Sequence, residues 1–135
     1  MTVMLCIDGK NGVLFNHRRQ SKDKALQEHI LRLAGRNRLF MSPYSKKQFS
    51  DTGPVQVIAD EAYLNKAGED DYCFVEGDDL SPYMEKIHTI ILFKWNRVYP
   101  ADTYFTLDIS GWTKEETEDF PGNSHEKITK EIYRR

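Results

Sequence analysis

The stretch YCFVEGDDL, residues 72–80, runs four apolar or aromatic residues into Glu76, a glycine and two aspartates before the next apolar residue. A buried strand that ends in a glycine turn and opens a helix is where α/β proteins hold a phosphate, because backbone N–H groups and the helix dipole converge there. Read that way, the stretch makes the chain an α/β protein. Its three carboxylates argue against the phosphate itself. Like charges a few Å apart cost about 1 to 4 kcal/mol at effective dielectrics between those of water and a protein surface. The turn keeps the shape of an anion cradle and carries the wrong charge for one.

Working outward, the same alternation of strand and helix recurs. TVMLCID (2–8) reads as a buried strand followed by the turn-rich GKNG. After GVLFNHRRQ, Ser21 can cap a helix in which Leu26, Ile30 and Leu33 recur at i, i+4 and i+7 and Gly35 supplies the stop. RLFM is a short strand, and Ser42-Pro43 opens a helix over YSKKQF. VQVIAD is another strand, with Asp60 as cap for a helix over EAYLNKAG. Beyond YCFV, Ser81-Pro82 opens the helix SPYMEKIH, and TIILFKW (89–95) is the most strand-like segment. These alternating elements predict a mostly parallel sheet with helices on both faces. The tail differs: GWTKEETEDF, the turn PGNS and KITKEIYRR predict an antiparallel hairpin at the sheet edge, with Ile128, Lys130 and Ile132 on one face.

The bulk properties bound the rest. A chain of 135 residues, 39% hydrophobic and 30% charged, suits a single domain over 1–135. No apolar run approaches a membrane span, and the start MTVMLCIDGK lacks a basic leader, so a cytoplasmic location is expected. Cys6 and Cys73 sit singly in strand-like runs and read as reduced core residues. His17, His29, His88 and His125 are scattered, with no metal-ligand spacing, so no metal is expected. Charge is uneven: residues 1–50 hold ten Lys and Arg against three Asp and Glu, and the remainder nine against eighteen. Either the first third presents an anion-binding face, or the two parts interleave and the charges solvate a mixed surface.

A parallel core closed by an antiparallel C-terminal hairpin resembles the dihydrofolate reductase fold, and several stretches follow its order. IDGKNGVLFN resembles that family's first strand and loop, the helix around Asp23 its substrate-facing helix, and RLFMSPYS its next strand and turn. YCFVEGDDLSPYMEKIHTIILFKW resembles its strand, glycine turn, helix and strand, and ADTYF (101–105) the DTxF stretch that follows. The resemblance implies a three-layer fold of that type. It also exposes departures. Active reductases of this type place consecutive glycines where this chain has Glu76-Gly77-Asp78, a Gly-Arg where it has Ser42-Pro43, and Leu-Pro-Trp in the loop that here reads FNHRRQ. Asp23 falls near the family's catalytic carboxylate. Glu28 is the alternative for the residue facing the cleft, and an Asp favoured by the helix dipole is the plain alternative to both. NHRRQS and SHEKITKE also resemble short uncharacterised bacterial proteins that carry the label ribonuclease Z. That label implies a metallo-β-lactamase fold with an HxHxDH motif, which this sequence lacks.

The functional expectation is a non-catalytic binding module on a reductase-like scaffold, with no cofactor. Its expected contact residues are Asn16, His17, Arg18, Arg19, Arg36 and Arg38, meeting an anionic, nucleotide-like small molecule or an acidic protein face. The alternatives are a reductase-like enzyme of altered cofactor use, with Asp23 as proton donor or relay, and a nucleic-acid-binding or ribonuclease-type protein. An acidic pI near 6.1 and the absence of RNA-binding signatures disfavour nucleic acid. The charged terminal hairpin is compatible with a monomer or a homodimer.

Overall fold

The computed structural model describes all residues from Met1 to Arg135. In chain order it contains β1 (Thr2–Ile7), β2 (Gly12–Phe15), β3 (Arg18–Arg19), α1 (Lys24–Ala34), β4 (Leu39–Met41), α2 (Pro43–Lys46), β5 (Val57–Ala59), α3 (Tyr63–Lys66), β6 (Tyr72–Phe74), a 3-10 segment (Ser81–Lys86), β7 (Thr89–Lys94), β8 (Thr103–Tyr104), β9 (Thr113–Phe120) and β10 (Ile128–Arg134). Seven strands form one sheet in the order β5-β4-β6-β1-β7-β10-β9. The strands from β5 to β7 pair in parallel, and β10 is antiparallel to both β7 and β9. The expected parallel core and terminal hairpin are both present. β3, β2 and β8 make a separate small antiparallel sheet.

The pleat of the central strands sends alternate side chains into two cores. On β1, Met4 faces one way and Val3, Leu5 and Ile7 the other; on β7, Ile91 and Phe93 oppose Ile90 and Leu92. Both sets are buried, which is why these strands read as continuous apolar runs. Helical segments cover both faces unequally. One core lies under α1, which contributes Leu26, Ile30 and Ala34. The other lies under α3, the 3-10 segment and the half-buried Phe105, Leu107, Ile109 and Trp112. Ile30 has no exposed surface, so truncating it to Ala removes about 2 to 5 kcal/mol.

Several local expectations need correction. The cap of α1 is Asp23, whose side chain accepts from the Ala25 and Leu26 amides, so Ser21 is left outside the helix. Ala34 takes the buried place expected of Leu33, because the apolar stripe follows i, i+4, i+8. The helix expected over EAYLNKAG is a single turn without a side-chain cap, and Asp60 instead accepts from the Ala62 amide in the preceding turn. SPYMEKIH forms 3-10 rather than α structure over Ser81–Lys86. Lys130 does share the inward face with Ile128, where it is buried against Glu116 and Glu118 of β9.

Candidate functional site

The turn after β6 answers why an anion cradle should carry acids. Glu76 does not face solvent. Its carboxylate receives Arg19 Nε at 2.9 Å and Nη2 at 3.1 Å, Ser45 Oγ at 2.8 Å and Gln48 Nε2 at 3.0 Å. The Arg19 guanidinium also lies 4.3 Å from the centre of the Tyr44 ring. Asp78 accepts from the Tyr63 hydroxyl at 2.5 Å, and Asp79 from the Ser81 amide at 3.0 Å. Each acid has a partner within the protein, with Glu76 the most enclosed and Asp78 and Asp79 exposed. Gly77 takes φ 90°, and the Leu14 side chain packs so closely over it that any Cβ there would overlap Leu14. A dinucleotide pyrophosphate needs bare amides and an open approach at such a turn; these residues do not fit one.

Beneath the turn, between the sheet and α1, only a small pocket of about 20 Å³ remains, lined by Cys6, Arg19, Gln20, Ser21, Glu76 and Trp95 among others. That is room for one water.

At the start of α1, Asp23 is fully buried and accepts seven hydrogen bonds. Oδ1 receives the amides of Ala25 (2.9 Å), Leu26 (3.3 Å) and Asn123 (2.9 Å). Oδ2 receives the Ser124 amide (2.8 Å) and hydroxyl (3.2 Å), the His125 amide (3.2 Å) and His125 Nδ1 (3.0 Å). Burial alone would raise this carboxyl, but the bonds from Asn123, His125, Ser124 and Leu26 outweigh it and hold it well below the ordinary range. A carboxylate so saturated stays ionised and pins the turn before β10 to the helix. Glu28, the alternative, is exposed on the outer face of α1.

His125 carries the network onward. Its Nε2 lies 2.8 Å from the Tyr99 hydroxyl and 3.2 Å from Ser21 Oγ, and its ring stacks on Trp95 at 4.4 Å. Asp8 positions both hydroxyl-bearing segments: its Oδ2 accepts from Gln20 Nε2 at 3.0 Å and from the Tyr99 amide at 3.1 Å. The sequence offered no local sign of this cluster, since Ser21 and His125 lie 104 positions apart.

The six expected contact residues divide between two ends of the molecule. Asn16 and His17, at φ 51° and 61°, form the tight hairpin between β2 and β3, and Arg18 is exposed beside them. Arg19, next to them, is spent on Glu76. Arg38 instead pairs with Asp71 at the opening end of β6, through Nε at 2.9 Å and Nη2 at 2.6 Å. Asp71 and Glu76 are five residues apart on one extended segment, which separates the two arginine pairs by roughly 16 Å. Arg36 joins neither pair. It lines a groove of about 1320 Å³ between the outer face of α1 and residues 48–55, together with Lys22, Lys24 and Arg32. Glu28 and Asp51 are the acids on its walls apart from the sealed Asp23.

No model of a known protein family matches the chain, and no curated protein matches it. Among solved structures it is similar to dihydrofolate reductase from Enterococcus faecalis complexed with NADP(H) and RAB-propyl, with a TM-score of 0.67 and 14% identity over 99% of this chain and 95% of that one. The fold is therefore dihydrofolate-reductase-like, as the order of motifs implied, and not the metallo-β-lactamase fold that the ribonuclease label would require. No group of three or more His, Cys, Asp or Glu side chains is placed to hold a metal ion.

Proposed function

We propose that the chain is a binding module on this reductase-like scaffold, and that it takes an extended acidic segment of a partner protein into the groove between α1 and residues 48–55. The observation that carries the reading is the charge of that groove: Lys22, Lys24, Arg32 and Arg36 line it against Glu28 and Asp51, with Asp23 sealed. Its size and character favour a chain over a compact ligand. Small-molecule sites enclose roughly 300 to 1,000 Å³ and are mostly apolar. This groove is larger, and of its 19 lining residues three are hydrophobic. The contact surface differs from the stretch picked out along the sequence, because Arg19 and Arg38 are paired internally.

The reductase-like alternative has less support. The turn residues repel a dinucleotide, the space under them admits one water, and Asp23 has no free lone pair to offer a substrate.

The reading is tested by fluorescence polarisation with a labelled Asp/Glu-rich peptide, alongside ATP and NADPH, over a range of salt. Peptide binding that weakens as salt rises, and that Lys24→Glu with Arg36→Glu abolishes, is expected. Binding indifferent to that double change overturns the groove. ATP competing as well as the peptide shifts the ligand to a small anion, and tight NADPH binding returns the chain to the enzymes.

A further inference from the structure

The turn after β6 separates two pockets of unequal size. The one toward α1 admits a single water. The other lies on the opposite face of the sheet, between the turn and the chain that leaves β8, and encloses about 210 Å³. Its wall is apolar. Leu5, Val75 and Leu80 are buried members of the core away from α1, and the half-buried Phe105 and Leu107 pack against that core from outside. A cavity of about 150 Å³ with such a lining holds benzene, so this one has room for an aromatic ring and a short arm.

The rim has the opposite character. Asp78 and Asp79 line the pocket and are exposed. Asp78 accepts from the Tyr63 hydroxyl through Oδ2, and Asp79 accepts from the Ser81 amide and hydroxyl through Oδ1. One oxygen of each therefore has no donor from the protein. Glu76, just before the glycine, is neutralised by Arg19, whereas none of the 12 residues lining this pocket is Lys, Arg or His. Tyr104 stands at the same rim, 48% exposed, with its hydroxyl turned back onto the Ala101 carbonyl at 3.2 Å. What it offers a ligand is its ring, a face that attracts cations.

We propose that this pocket binds a small arylalkyl amine in its cationic form, with the ring against Phe105 and Leu107 and the ammonium at the free oxygens of Asp78 and Asp79. An apolar wall with a few polar groups at one end fixes both the identity and the direction of a ligand. A bare cation gains the attraction without the burial, and a neutral ring the burial without the attraction. The turn that refuses a pyrophosphate thus accepts a ligand of the opposite sign.

The experiment titrates the full chain with 2-phenylethylamine and follows backbone amide signals by NMR. A dissociation constant of about 1 mM is expected for a ligand of this size, with shifts confined to residues 77–80 and 103–107. Methylammonium and 2-phenylethanol should each bind about tenfold more weakly, and phenylacetate not at all; one hydrogen bond to a charged group represents that factor. Asp78→Asn with Asp79→Asn should weaken the amine about tenfold. Both positions are exposed, and the melting temperature is recorded to show that the fold survives. Thr106→Trp, a change at an exposed residue of the rim, should fill the space and abolish binding. Phenylacetate or methylammonium binding as tightly as the amine, an affinity unchanged by the double Asn variant or by Thr106→Trp, or shifts spread over the acids of β9 each overturn the proposal. The acidic-peptide groove lies along the outer face of α1 and is read by a separate assay, so either reading can fail alone.

Discussion

Asp23 and Glu76 are both carboxylates turned inward at the same end of the sheet, yet they are satisfied by opposite means. Asp23 is met by five main-chain amides, one hydroxyl and one imidazole. Glu76 is met only by side chains, those of Arg19, Ser45 and Gln48. A main-chain cradle is as rigid as the segments that form it, and it rejects any change of the acid. A side-chain cradle can be rebuilt one partner at a time. The first kind fixes architecture, and the second fills the turn after β6.

The largest expected effect breaks the first member of the pair. Asp23→Ala leaves buried amides and an imidazole without their acceptor and should cost about 3 to 5 kcal/mol in denaturant unfolding. A loss near that of a surface substitution would show the cradle to be ornamental. Acid sharpens the same point. The folded Asp23 carboxyl is held below its unfolded value near 3.9, so its contribution is present above about pH 4 and is lost as pH falls through the folded value. Unfolding free energy of the parent protein should therefore drop on acidification below pH 4, with a shallower drop in Asp23→Asn. Next comes Glu76→Gln, which leaves the Arg19 guanidinium, 20% exposed, facing a neutral amide. About 1 to 3 kcal/mol is expected. A double-mutant cycle with Arg19→Gln should return a coupling within the range for contacting residues, roughly 0.5 to 3 kcal/mol. The smallest effect belongs to Arg38→Ala. Its pair with Asp71 has the same two-pronged geometry, but the arginine is 48% exposed, and the melting temperature should scarcely move.

The fold was legible wherever a pattern is local. The apolar runs TVMLCI and TIILFK became the central parallel neighbours β1 and β7, and the alternating tail became the β9–β10 hairpin. The turn at residues 76–79 was found from its glycine and its acids alone. What those acids do was not legible, because their partners come from elsewhere: Arg19 from 57 positions away, Tyr63 from 15. Ser21 read as a helix cap because a serine two residues before an aspartate offers the same chemistry, and only the turn at 123–125, arriving from the far end of the chain, decides between them. The placement of the basic residues was hidden for a related reason. Sequence proximity placed Arg18, Arg19, Arg36 and Arg38 together, while strand and helix directions carried them to opposite ends.

β10 lies between β7 and β9, and the turn leading into it closes over Asp23 from 101 positions away. During synthesis the helix start therefore emerges from the ribosome long before its cover does. Until residues 123–134 follow, the nascent chain carries an ionised acid capped only by its own helix, and an open edge along β7. Closure by contacts this remote in sequence is slow, because the loop-closure entropy is paid before the contacts reward it.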